Sequence, residues 1–180
     1  AGTRVVAQAL NQLALMHAGP NCNDLEEDLR IGHVILTGSD IDRHIFGSYL
    51  VDGILDVVDD LTIYASAKDK ALGMSKWVFG RGRLGQTVDG TLSEPAAAYL
   101  RQAKKLVIIN ATDTPGATSG NSHAYFRQSP WTSSDILAML TFDLEPAERG
   151  LEQANDGPIW TFRADYIEQL RHALTKARSK

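Results

Sequence analysis

Three short apolar runs, HVILT (33–37), LTIYA (61–65) and LVIINAT (106–112), set the limits on how this chain can fold. Each has the length of a strand, and HVILT is too apolar for an edge that faces water. Helical patterns separate them. Ile45, Phe46, Tyr49, Leu50, Ile54, Leu55 and Val58 form one broad stripe over residues 41–58. Gly47 and Gly53 interrupt it, each weakening a helix by roughly 1 kcal/mol relative to alanine, so the spacing predicts a helix broken in two. Leu72, Trp77 and Val78 mark a second helix over 70–79. Ser93 and Pro95 open a third, and Lys104 and Lys105 suit its C-terminus. Strand, helix, strand, helix, strand implies an α/β fold: a parallel sheet with right-handed crossovers, flanked by helices. About three strands are legible, fewer than such a sheet normally holds.

The flanks are less regular. Residues 1–17 read as a helix, with Val5, Val6, Ala9, Leu10, Leu13 and His17 at helical spacing and Gly19-Pro20 as its stop. Nothing in front of it serves as an N-cap. Residues 21–30 form a polar, acidic connector. Thr132 to Asp135 match a capping box for a short helix through Leu140. Residues 143–157 are polar without a clear period, and 158–162 are apolar enough to tuck against the body. Tyr166, Ile167, Leu170, Leu174 and Ala177 face inward on a final helix over 165–178. The whole reads as one domain, 1–180, with its core at about 1–142 and a C-terminal extension over 143–180.

Composition narrows the function. Hydrophobic residues make up 43% of the 180, enough for a sizeable core. A net charge of −4 with both signs mixed gives no footprint for nucleic acid. Cys22 is the only cysteine, so an internal disulfide is impossible, and no Cys/His ligand spacing points to a metal or cofactor. No apolar run approaches the roughly 20 residues of a membrane span.

Chemistry-bearing residues gather after the strands, where ligands of open α/β sheets bind. Asp69 follows LTIYA, and His123 lies in the loop DTPGATSGNSHAYF after LVIINAT. An acid after one strand and a histidine after the next are the last two members of a Ser…Asp…His series. Each has a bland reading too. Asp69 suits a turn that caps the helix beginning at Lys70, and a histidine in a Gly/Ser loop is often surface filler. Asp40 also follows a strand and rivals Asp69 as the acid. No serine of this chain completes the series. Ser122 adjoins His123, but neighbours on an extended backbone point to opposite sides. Ser39 and Ser66 lie at strand ends without an elbow pattern, and Cys22 sits on the polar connector. His17, His33, His44 and His172 share no ligand spacing, and Arg81 and Arg83 read as part of a solvated turn.

The segments SDIDRHIF (39–46), LTIYASAKDKAL (61–72), the R-x-R-x-G loop (81–85), SHAYF (122–126) and ERGL (148–151) together resemble the DUF900 family of α/β-hydrolases, whose members are esterase/lipase-like. The resemblance runs from Ala1 to about Leu151. In that family the helix resembling 1–17 follows a G-H-S-x-G elbow. The resemblance therefore implies a nucleophilic serine immediately before Ala1, outside this sequence. It implies His123 as general base, Asp69 as the acid that orients it, and the Ala1 backbone N–H as one oxyanion-hole donor. The expected substrate is a small carboxylic ester, with no cofactor, metal, nucleic acid or membrane segment involved. The expected fold is a partial α/β-hydrolase whose partner is the missing N-terminal half of the same domain. By itself the chain should be inactive, with an unpaired edge at 33–37 and with Val5, Val6, Leu10 and Leu13 more exposed than their pattern warrants. The alternative is a non-catalytic α/β scaffold or interaction module in which Asp69 and His123 are structural.

Overall fold

The computed structural model describes residues 2–17, 29–39, 41–66, 103–116, 128–154 and 157–179. The elements in chain order are α1 (Gly2–His17), β1 (His33–Thr37), α2 (Arg43–Val51), a 3-10 turn (Ile54–Val57), β2 (Asp60–Ala65), β3 (Leu106–Asn110), α3 (Pro130–Phe142), β4 (Leu151–Gln153), β5 (Ile159–Phe162) and α4 (Tyr166–Ala177). The strands form one sheet in the order β1-β2-β3-β5-β4, parallel except for the β4–β5 pair.

The alternation of side chains along the parallel strands builds two cores. Val34 and Leu36, Leu61 and Ile63, and Leu106 and Ile108 point to one face. Ala7, Leu10 and Ala14 of α1, Phe46 and Leu50 of α2, and the 3-10 turn cover that face. Ile35, Tyr64, Val107 and Ile109 point to the other, beneath Trp131 and Ala138 of α3 and Tyr166 and Leu170 of α4. This period-2 division makes a three-layer α/β/α arrangement. β2 lies inside the sheet between β1 and β3 and is buried from Leu61 to Ala65, which is why it lacks a water-facing polar face. Trp131, Phe162 and Tyr166 lock α3, β5 and α4 together, the last two edge-to-face at 4.7 Å between ring centroids.

Several expectations change. The sheet has five strands rather than three. β4, of 3 residues, arises in the segment that shows no clear period, and β5, of 4, in the apolar stretch expected only to tuck against the body. β5 pairs with β3 on one side and β4 on the other, so it belongs to the sheet that the first three strands begin. The buried stripe of α1 is Ala7, Leu10, Asn11 and Ala14, not the one centred on Val5 and Val6. Val5 is 67% and Val6 46% exposed, as expected, but Leu10 is 5% exposed and packs into the core, against expectation. Leu13 is half-buried. The break after α2 falls at Gly53, whose φ of +91° suits glycine and caps the 3-10 turn, while Gly47 continues the helix. α3 starts before the expected capping box. Its N-cap is Ser129, whose hydroxyl accepts from the Thr132 N–H at 3.5 Å, and Pro130 takes the first turn. Among the described residues β1 pairs on one side only, with β2, and no helix is long and apolar enough to cross a membrane.

Candidate active site

The carboxyl ends of β1, β2 and β3 lie level with one another. Thr37 pairs with Tyr64, and Ala65 with Asn110. The turns that leave them are tightly built. After β1, Gly38 has a φ of +56°, and the Ser39 hydroxyl accepts from the Ile41 N–H at 3.5 Å. After β3, the Ala111 N–H donates to the Ala65 carbonyl at 2.8 Å, which carries the β2–β3 pairing one step past the strands. The Asn110 side chain accepts from the Thr112 N–H, and the Thr114 hydroxyl donates to the Ala111 carbonyl, both at 2.9 Å. Gly116 closes this turn with a φ of +82°, and a side chain there would stand 2.5 Å from the Gln128 carbonyl oxygen. The chain thus leaves the sheet at Gly116 and returns beside it at Gln128, directly before α3. That closed base makes a rigid platform at the end of β3.

Asp69, His123 and the Ala1 N–H lie outside the described residues, as do Asp40, Ser122, Cys22, Arg81 and Arg83. Ser39 and Ser66 are described, at 1% and 2% exposure. Burial at strand ends leaves neither hydroxyl presented as a nucleophile.

One ionic cluster that the sequence pattern did not suggest lies beneath α3. Asp135 is fully buried and accepts three hydrogen bonds: from the Tyr64 hydroxyl at 2.6 Å, the Tyr166 hydroxyl at 3.0 Å and the Arg149 Nε at 2.9 Å. Arg149, 2% exposed, also donates from Nη1 to the Leu144 carbonyl, and its Nη2 is buried without a partner. The cluster joins β2, α3, α4 and the turn before β4. Asp135 is the one charged residue on α3, and the sequence pattern read it as part of a capping box.

Burial, then the charge of Asp135 and its hydrogen bond, push the Tyr64 hydroxyl well above the usual phenol range; the same causes raise Tyr166. A raised phenol pKa stabilises the fold fully below about pH 10, the unfolded value, and this contribution is lost as pH climbs above it. The loss is about 1.4 kcal/mol per pH unit for each tyrosine. Absorbance titration at 295 nm should therefore show Tyr64 and Tyr166 silent until the chain unfolds. Smooth ionisation of all 5 tyrosines in a chain that keeps its fold would contradict this.

A second polar contact sits at the opposite, amino end of the strands. The His33 Nδ1 meets the Asp60 carboxylate across the β1–β2 pair, and its Nε2 lies 3.4 Å from Asp143. It ties two strand starts to the end of α3, at the end of the sheet opposite the carboxyl-end turns. Among the described residues no group of three or more His, Cys, Asp or Glu is placed to hold a metal.

A largely parallel sheet in a three-layer α/β/α arrangement, with its built turns at the carboxyl edge, defines the class: an α/β fold of the kind in which ligands gather beyond the carboxyl ends of the strands. Residues 1–139 match the family model described as alpha/beta hydrolase of unknown function (DUF900), and the chain belongs to that family. Searches of curated proteins and of solved structures return no match.

Proposed function

We propose that this chain supplies the acid and base of a serine hydrolase acting on carboxylic esters, with Asp69 and His123 completing a triad whose serine directly precedes Ala1. The observation that supports this most is the neighbouring placement of β2 and β3 with their carboxyl ends level. The segments carrying Asp69 and His123 leave the sheet side by side. Asp69 is three residues beyond Ser66, so covalent geometry alone holds it within about 11 Å of that residue. Membership of an α/β-hydrolase family agrees with this reading. His123 would take the serine proton and return it to the leaving alcohol. Asp69 would hold the imidazole in the required tautomer, and the Ala1 N–H would donate to the oxyanion.

The test is hydrolysis of a p-nitrophenyl ester, paired with labelling by a fluorophosphonate. The 180-residue chain alone should show neither, because in this reading its nucleophile lies before Ala1. A longer chain that includes the residues preceding Ala1 should show both. Turnover by the 180 residues alone, lost on mutating an internal serine, would overturn the assignment of the nucleophile. A longer chain that is folded but inert towards both probes would leave the non-catalytic scaffold.

A further inference from the structure

The packing of α4 against α3 leaves a groove of about 310 Å³ along one side of α4. Its floor is apolar: Ile167, Leu170 and Leu174. Its rim on α4 carries Arg171 and Arg178, and Ser134 of α3 stands opposite. No acidic residue lines it. Neither guanidinium forms an ion pair among the described residues, unlike those of Arg149 and Arg163. The C-terminal part of α4 and its cap are one-sided in charge. Arg171, Lys176 and Arg178 stand there with no acid between residues 169 and 179, in a chain whose net charge is −4.

A floor of leucine and isoleucine beside uncommitted arginines fits a ligand with an apolar body and an anionic end. The spacing makes the fit more specific. Arg171 and Arg178 are two helical turns apart, about 10 Å along the axis. Both side chains are long enough to converge on an anion held between them, at the level of Leu174. From there the floor runs back over Leu170 to Ile167, about 10 Å, the length of a chain of roughly eight carbons. A carboxylate suits the head, since arginine grips it with two parallel hydrogen bonds. The C-terminus of α4 opposes an anion with roughly half a charge, less than two guanidinium charges supply. The volume lies at the small end of ligand sites, matching one short chain rather than a diacyl lipid.

We propose that the α3–α4 groove binds a medium-chain alkyl carboxylate, with its chain on Ile167, Leu170 and Leu174 and its head between Arg171 and Arg178. The proposal is independent of the hydrolase reading, because it uses no residue of the triad and needs no turnover.

Titration calorimetry on the full 180-residue chain tests it with octanoate, which stays monomeric at millimolar concentration. Octanoate should bind, while acetate, which lacks the chain, and octylammonium, which reverses the charge, should not. The double variant Arg171→Gln/Arg178→Gln should bind octanoate about tenfold more weakly or worse, with an unchanged thermal midpoint. Ile167→Ser should weaken binding with both arginines intact, measured well below that variant's own thermal midpoint because Ile167 also packs against the core. Equal binding of octanoate and octylammonium, or full affinity in the double variant, would overturn the proposal. So would absence of octanoate binding, or binding seen only to vesicles of anionic lipid, which would assign the basic face of α4 and the exposed Leu137 and Leu140 to a membrane surface instead.

Discussion

Replacing Asp135 by alanine should cost about 3–5 kcal/mol of folding stability, measured as the shift in urea unfolding. Three groups lose their acceptor at once: two buried phenols and the Arg149 guanidinium. The hydrogen bonds from the tyrosines account for about 1 kcal/mol each. The larger share comes from Arg149, which would remain charged and buried with only the Leu144 carbonyl to face. A domain of this size has about 5–15 kcal/mol in total, so the variant should be unfolded or close to it at 37 °C. Tyr166→Phe should cost only about 1–2 kcal/mol, because it removes a donor and leaves Asp135 two others. Removing the charges together is the decisive comparison. Asp135→Leu with Arg149→Met should recover much of what Asp135→Ala loses, since a buried ion pair replaced by apolar groups is often neutral. An Asp135→Ala protein within about 0.5 kcal/mol of the parent, the range of an ordinary surface change, would show that the cluster holds nothing together.

In the longer chain that contains the residues before Ala1, His123→Ala should lower kcat for ester hydrolysis by roughly a thousandfold or more. Loss of the base removes proton transfer in both acylation and deacylation, and the oxyanion donors that remain account for the residual rate. Asp69→Asn should come close to the same loss for a different reason. An amide in place of the carboxylate favours the wrong imidazole tautomer and no longer stabilises the imidazolium. The two losses should not add, because the residues act as one unit. Asp40→Asn separates the two candidate acids. If Asp69 is the acid, kcat stays near that of the parent; a loss at Asp40 with Asp69→Asn active would move the role to Asp40. Full activity in His123→Ala would remove the triad reading altogether.

The layers of this protein and the ends of its strands were legible from residues alone. HVILT, LTIYA and LVIIN each alternate between two cores, so runs without a polar face announced a parallel sheet covered on both sides. The expected position of the candidate site was read from the chain order, because in sequence Asp69 and His123 follow two strands that the fold makes neighbours. A break near Gly53 was legible as well, since a glycine advertises a left-handed turn locally.

Other features depended on what the chain meets after folding. β4 and β5 are too short to carry a period, and their strand geometry comes from hydrogen bonds to β3 and to each other. The phase of α1 went astray because Val5 and Val6 are more apolar than Ala7 and Asn11, yet close approach to the 3-10 turn and α2 favours the small side chains. Asp135 resembled part of a capping box, while its actual partners come from Tyr64, 71 residues earlier, and from Arg149 and Tyr166, 14 and 31 residues later. Helix and strand periods are set by residues within a turn or two of one another, so sequence alone determined them. A buried carboxylate is stabilised by whichever donors the tertiary fold brings to it, and only the packing of α3 and α4 on β2 decided which donors those are.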